Sequence, residues 1–213
     1  MGPRIDRQQV RAQIDGPGLA RIVAALEAGA VVAIPTDTVY GLAVLPSTPG
    51  AVDRLFEVKG RPDSLAVALL VADTFQARRV MKMNYAASQL AARFWPGALT
   101  IVGERVPGLG LELGGDETSI GVRCPAATYI QQICRRVGPL AVTSANRHGE
   151  KPAESVEMLR EVFGPQLLIA DGGECCREPS TVVDVRENTA RLLRAGAIQF
   201  DDVRAALVAS VSS

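Results

Sequence analysis

Lys59 and Arg61 stand two residues apart in the run Lys59-Gly60-Arg61-Pro62, and two cations at that spacing can grip one polyanion through charge-assisted hydrogen bonds. They can equally end a helix, answering the negative pole of its dipole. The run Pro35-Thr36-Asp37-Thr38-Val39-Tyr40-Gly41-Leu42 interrupts two apolar stretches with two hydroxyls, a carboxylate and a phenol. Such an insertion is either a tight turn that satisfies its own backbone or a set of short hydrogen-bonding groups aimed at a ligand. Thr143-Ser144-Ala145-Asn146-Arg147-His148-Gly149 leaves the apolar stretch Pro139 to Val142, and strand ends of this kind are where α/β sheets gather ligands. Small hydroxyl and amide groups there suit a sugar or a phosphate, although a plain polar loop has the same composition. A fourth cluster is split between Ser119 to Arg123 and the segment from Asp171-Gly172-Gly173 to Ser180-Thr181. Arg123 lies in an otherwise apolar stretch; a buried guanidinium without an anion is costly, so it must face a carboxylate or a phosphate.

The standard catalytic signatures are absent: the sequence holds no G-x-S-x-G, no H-E-x-x-H and no G-x-x-x-x-G-K-[ST]. Gly108-Leu109-Gly110 followed by Gly114 misses the dinucleotide spacing by one residue. A nucleotide bound here has to be held by side chains and irregular loops.

Apolar periodicity supplies the elements that carry these residues. It predicts a helix from Pro17 to Ala28 stopped by Gly29, a buried strand from Ala30 to Ile34 and a second from Tyr40 to Leu45. Thr48 as N-cap and Pro49 at the first helical position then open a helix that Gly60 ends. A strand at Val67 to Val71, a short helix capped by Asp73 and a helix from Tyr85 to Trp95 follow. Further strands read at Leu99 to Val102, Ile120 to Arg123, Leu140 to Val142, Leu167 to Ala170 and Thr181 to Val185. Helices read at Thr128 to Val137, Glu154 to Phe163 and Phe200 to Val208, and the glycines from Gly108 to Gly115 mark an extended surface loop. Interleaving on this scale means α/β, with mixed α+β as the neighbouring possibility. No linker divides the chain, so residues 1–213 read as one domain with a core from about 18 to 200 and an amino-terminal tail over 1–16.

Composition excludes several classes of function. With 47% hydrophobic and 22% charged residues the chain can bury a core without staples. The longest apolar run, Leu65 to Ala72, is far short of the roughly 20 residues that span a bilayer. Met1 to Arg7 carries no leader-like apolar block, which places the protein in the cytoplasm and off the membrane. Net charge is zero, against a mode of action that coats nucleic acid through many counterion-releasing cations. Cys124, Cys134, Cys175 and Cys176 have no C-x-x-C spacing and His148 is the single histidine, so the thiols read as reduced and structural and no metal site is built from side chains.

In sequence order, Pro35 to Leu42, Lys59 to Pro62, Trp95-Pro96-Gly97-Ala98-Leu99-Thr100, Ser144-Ala145-Asn146, Ser180-Thr181 and Leu193-Arg194-Ala195-Gly196 resemble the motifs of the YrdC-like threonylcarbamoyl-AMP synthases in their single-domain form. Each motif is weak alone; six in one order at matching spacings are specific. The resemblance implies a twisted open sheet with helices and a deep concave cleft. It implies synthesis of threonylcarbamoyl-AMP and pyrophosphate from L-threonine, bicarbonate or CO2, and ATP accompanied by Mg2+. The product would feed threonylcarbamoylation of tRNA, with the downstream transfer enzymes as partners and tRNA itself as a possible contact. By motif, Thr38, Arg123 and Ser180 resemble threonine-binding positions. Lys59, Arg61, Ser119, Ser144, Asn146 and Arg194 resemble ATP-binding ones, with Lys59 and Arg61 also in the catalytic role. No protein nucleophile is required, because positioning and charge stabilisation suffice.

Three departures from the family pattern stand out. Members carry a Pro and then a His shortly after the Lys-x-Arg-Pro segment, where this chain has Ala66 and Leu70, leaving that part of the site more apolar. The loop after Asn146 reads Gly149-Glu150-Lys151-Pro152-Ala153, without the serine often found there, and Pro179 replaces a glutamate before Ser180-Thr181. Two rival functions differ in kind. A related carbamoyl-adenylating activity of hydrogenase-maturation proteins would call for paired C-x-x-C motifs, which are missing. An RNA-binding or ribosome-assembly factor would call for stacking aromatics, and only 4% of residues are aromatic.

Overall fold

The computed structural model describes residues 11–175 and 177–209; Met1 to Arg7, most of the tail and Cys176 lie outside the described residues. The chain runs β1 (Arg11–Gln13), α1 (Gly16–Glu27), β2 (Val32–Pro35), β3 (Tyr40–Val44), α2 (Ala51–Lys59), β4 (Ala68–Leu70), α3 (Thr74–Arg78) and α4 (Tyr85–Phe94). It continues through β5 (Leu99–Glu104), β6 (Ser119–Arg123), α5 (Thr128–Val137), β7 (Leu140–Ser144), α6 (Val156–Phe163), β8 (Leu168–Asp171), β9 (Thr181–Asp184), β10 (Arg191–Arg194) and α7 (Phe200–Ala209). All ten strands join one sheet in the order β1-β8-β2-β3-β7-β4-β6-β5-β9-β10. The pairs β1·β8, β2·β8, β4·β6 and β5·β9 are parallel and the others antiparallel, so the sheet is mixed.

Side chains alternate across a strand, and here the alternation sorts two chemistries. Leu99 and Ile101 of β5, Ile120 and Val122 of β6 and Val183 of β9 pack with α2, α3, α4, α6 and α7 in the larger core. The opposite face is covered by α1 and α5, which bury Ile22, Val23, Leu26, Ile130 and Ile133 against Val32, Ile34, Ala43 and Leu140. That cover lies at the β2–β3 side of the sheet. Beyond it, the same face of β4, β6, β5 and β9 presents Ala68, Gly121, Arg123, Thr100, Val102 and Val182 to a cavity.

Local signals explain most boundaries. The Asp15 carboxylate accepts from Gly18 N at 2.8 Å and starts α1. Gly60, at φ 63°, ends α2 in the left-handed conformation that a Cβ disfavours. Asp73, Asn84 and Ser155 cap α3, α4 and α6 through their side chains.

Four readings of the sequence need correction. Thr48 does not cap α2: its carbonyl accepts from Ala51 N at 3.1 Å and the helix opens after Gly50 at φ 69°, so Thr48-Pro49-Gly50 is a turn. The predicted strand at Ala30 begins two residues later, because Ala30 N is still held by Ala25 O at 2.9 Å. The glycine-rich loop is not wholly superficial, since Leu113 is buried, its carbonyl accepts from Val67 N at 2.9 Å, and Gly115 N donates to Asp63 O at 2.9 Å. Two strands went unread: β1 and β10 are three- and four-residue edge strands whose sequences carry no apolar alternation.

Candidate active site

The open face forms the floor of a cavity of about 420 Å3, within the usual range of small-molecule pockets. Its walls come from the Thr36–Gly41 turn, the Arg61–Val67 segment, the end of β7 and the Pro179–Ser180 and Leu193–Arg194 segments. Gly121 lies in the middle of the floor, where the missing side chain leaves depth. Three arginines, Arg61, Arg123 and Arg194, line the cavity, and no Asp or Glu does so among the described residues.

Arg123 closes β6 and is 5% exposed. Its Nε donates to Gly97 O at 2.9 Å, Nη1 to Thr38 Oγ1 at 2.9 Å and Nη2 to Asp37 Oδ1 at 2.6 Å. The anion required by its burial is therefore the chain's own Asp37. Three of five N–H groups are committed, leaving two for a ligand. The Thr36–Val39 turn fixes Thr38 in turn. Thr36 Oγ1 donates to Val39 O at 2.7 Å and accepts from Thr38 N at 3.1 Å and Val39 N at 3.2 Å, and the two hydroxyls stand 2.9 Å apart. Arg123 takes one lone pair of Thr38 and leaves its hydroxyl oxygen an acceptor site for the cavity.

Lys59 stands behind the wall. It is 2% exposed, and its Nζ donates to Ser144 O at 2.5 Å, Ser144 Oγ at 3.2 Å and Asn146 Oδ1 at 2.6 Å. All three ammonium protons are thus taken by oxygens of the strand end, and the residue meets the cavity through Ser144, which lines it. Burial, then the charge of Arg61, pulls the Lys59 pKa down to about 8, with Glu150 partly offsetting them. Asn146 receives Lys59 and Ser144 Oγ on its carbonyl and donates from Nδ2 to Arg147 O and Glu150 O, both at 2.7 Å. The loop is tied back to α2 from outside as well. Arg147 Nη1 donates to Val58 O at 2.6 Å, and His148 N donates to Lys59 O at 3.0 Å.

Arg61 folds over the segment that follows it, donating to Leu65 O at 3.0 Å and Ala66 O at 2.8 Å. On the facing wall, Arg194 Nη2 reaches Ser180 O at 2.7 Å and Ser180 Oγ at 3.0 Å, and Ser180 Oγ meets Thr100 Oγ1 at 2.8 Å. Burial lowers the pKa of both arginines, and for Arg194 the charges of Arg123 and Arg61 add to it, as crowding of cations around one space requires. Ser119 lines the floor at the start of β6. Ala66, Ala68 and Leu70 make one side of the lining apolar, where the two family departures at Ala66 and Leu70 fall.

Of the residues singled out in the sequence, Thr38, Arg61, Ser119, Arg123, Ser144, Ser180 and Arg194 meet around this one cavity, and Lys59 and Asn146 support its wall. Asp37 and Thr100 lie within motifs read from the sequence but were given no site role there. The signal for Asp37 was present, since the buried Arg123 demanded an anion, but the partner lies 86 residues away. Thr100 was discoverable as the residue that shares a sheet face with Val102 across from Ser180. The described thiols stay outside the site's chemistry: burial, foremost, pushes Cys124 up to about 11 and Cys134 up to about 12, and Cys175 donates to Thr36 O at 3.4 Å.

A mixed sheet with an arginine-lined cavity on the face that α1 and α5 leave open, lined by no Asp or Glu among the described residues, is the YrdC-like architecture. The sequence pattern of the Sua5_yciO_yrdC family, described as Telomere recombination, matches residues 24–196, and the chain belongs to that family. The threonylcarbamoyl-AMP synthase of Thiobacillus denitrificans is 36% identical over 185 residues, 84% of this chain and 94% of that one. The threonylcarbamoyl-AMP synthase of Homo sapiens is 37% identical over 178 residues, 78% of this chain and 62% of that one. Among solved structures, P. abyssi Sua5 complexed with L-threonine matches with a TM-score of 0.84 at 30% identity over 92% of this chain. The present chain spans 60% of that protein's length.

Proposed function

We propose that the chain is a threonylcarbamoyl-AMP synthase, joining L-threonine, bicarbonate and ATP with release of pyrophosphate. The observation that carries the reading is the convergence of Arg61, Arg123 and Arg194 on a cavity with no lining carboxylate, a charge arrangement suited to two anionic substrates at once. The relatives bearing that name, and the threonine complex of the archaeal neighbour, point the same way.

In this reading Arg123, Thr38 and Ser180 hold the amino acid. The two uncommitted N–H groups of Arg123 take its carboxylate, and the Thr38 lone pair accepts from its amine or hydroxyl. Arg61 and Arg194 neutralise the triphosphate, with Ser119 and Ser144 at its polar edges, and Lys59 and Asn146 hold Ser144 in place. The amine attacks bicarbonate, forming a carbamate and losing water. A carbamate oxygen then attacks the α-phosphorus as the bond to the β-phosphate breaks and pyrophosphate leaves. Positioning and charge stabilisation are what the protein supplies. Since no Asp or Glu lines the cavity among the described residues, Mg2+ would enter with ATP, carried by its phosphates. We place the reaction in the cytoplasm, with tRNA-modifying transfer enzymes as consumers of the product.

The test is pyrophosphate release from purified protein given ATP, bicarbonate and single amino acids. Threonine should lead and serine should follow, because losing one methyl costs only about 1 kcal/mol of burial. Valine should trail both, since a site that hydrogen-bonds a hydroxyl rejects the analogue lacking it. Valine used as well as threonine would end the assignment.

A further inference from the structure

The three arginines of the cavity are not electrostatically equal. Arg123 is paired with Asp37 at 2.6 Å, with the two side chains only 6% and 14% exposed, and Asp37 is outside the cavity lining. Arg61 and Arg194 bond only to uncharged oxygens, those of Leu65, Ala66 and Ser180, and among the described residues neither forms an ion pair. At Arg123 the cavity therefore presents a guanidinium whose charge is offset from behind, whereas Arg61 and Arg194, on facing walls, present two whose charges are not.

Asp37 also fixes direction. With Nε on Gly97 O, Nη1 on Thr38 and Nη2 on Asp37, the guanidinium plane is held on three sides, and only two N–H groups remain for the cavity. A planar, singly charged carboxylate matches two N–H groups. A dianion demands more donors and more charge than Arg123 offers.

We propose that Asp37 is a positioning residue that orients and part-neutralises Arg123, so that Arg123 selects a planar monoanionic carboxylate and the more highly charged triphosphate is directed to Arg61 and Arg194. The inference rests on the function proposed above and adds to it the group that keeps the two anionic substrates from exchanging places. Like charges near one site disfavour the anion, and Asp37 imposes that penalty about twice over on a dianion, whose charge is double that of a carboxylate.

The experiment measures binding of L-threonine, of its α-aminophosphonate analogue at a pH where the phosphonate is a dianion, and of ATP, to the wild type and to Asp37→Asn. In the variant, threonine should weaken by roughly tenfold or more, the scale of losing an oriented charge-assisted contact. ATP should stay within about twofold, as for sites that share no partner. The preference for carboxylate over phosphonate should fall by roughly tenfold as the uncompensated Arg123 admits the dianion. A merely structural ion pair would lower all three affinities together and leave that preference unmoved, which overturns the proposal. Should Asp37→Asn fail to fold, the wild type alone decides, because phosphonate bound as tightly as threonine overturns the proposal; Asp37→Glu, which keeps the charge, should retain the preference. A wild type that binds no threonine removes the underlying function and this inference with it. A wild type that turns threonine over while the variant keeps its preference removes the inference alone.

Discussion

Lys59 Nζ lies 2.6 Å from Asn146 Oδ1, joining the last residue of α2 to the loop after β7 across 87 positions of sequence. Among the described residues no carboxylate touches this ammonium, and its three protons go to Ser144 and Asn146. Lys59→Met should therefore strip charge-assisted hydrogen bonds from Ser144 O, Ser144 Oγ and Asn146 Oδ1 at a buried strand end. A loss of about 1 to 3 kcal/mol in unfolding free energy is expected, read from denaturant midpoints at constant m.

The same burial sets a pH dependence. A lysine lowered from 10.5 to about 8 on folding leaves the unfolded state holding more protons between those values, so its contribution raises stability as pH climbs from about 8 to about 10.5. Below pH 8 its desolvation penalty is present in full. Buried thiols with raised pKa values act in the opposite sense, so the test is the difference between wild type and Lys59→Met across this range. A 13C titration of the Lys59 side chain should give a midpoint near 8, moving upward when ATP binds; a midpoint at the ordinary lysine value would show that the ammonium is solvated.

Arg61→Ala should weaken ATP by about 1.5 to 3 kcal/mol, roughly 10- to 150-fold, because it removes one charge-assisted phosphate contact. Its present hydrogen bonds hold only the carbonyls of Leu65 and Ala66, so the melting temperature should change little. Calorimetric titration reads the first quantity and a thermal melt the second; an unchanged ATP affinity would take Arg61 out of the site.

Gly121 offers a test by volume. A Cβ there would meet Ala68 Cβ at 3.5 Å, Thr100 Cγ2 at 3.6 Å and Val102 Cγ2 at 3.7 Å, all ordinary contacts. Gly121→Val should keep the fold and fill the cavity floor. Loss of both ligands with an intact melting transition is the expected result, and undiminished binding would move the site elsewhere.

Much of this organisation was legible in the sequence. The helix Thr128–Val137 and the strand starting at Tyr40 lie where the apolar pattern puts them, because each signals its own burial within ten residues. The motif residues were legible as chemistry, but not as neighbours. That Arg123 needed an anion followed from desolvation; that the anion is Asp37 depends on β3 and β6 being separated by two strands, β7 and β4, in a sheet order no local pattern encodes. Lys59 shows the converse. Its position beside Gly60 and Arg61 suggested a cation that grips an anion directly or ends a helix, whereas the packing of α2 on β3 buries it and turns it toward the strand end.

The floor of the cavity is written in parity. Along β6 the odd-numbered residues Ser119, Gly121 and Arg123 face the ligand space, and the even-numbered Ile120 and Val122 pack into the helix-covered core, Ile120 also touching the edge of the cavity. Sliding the strand by one position would hand the cavity two branched hydrocarbons and thrust a guanidinium into the apolar core, whereas sliding it by two would preserve the face of every residue. Single-residue insertions or deletions within β6 are thus frame errors at the level of the fold, and lineages of such a chain can vary β6 in length only by even steps or by absorbing the odd residue in a bulge.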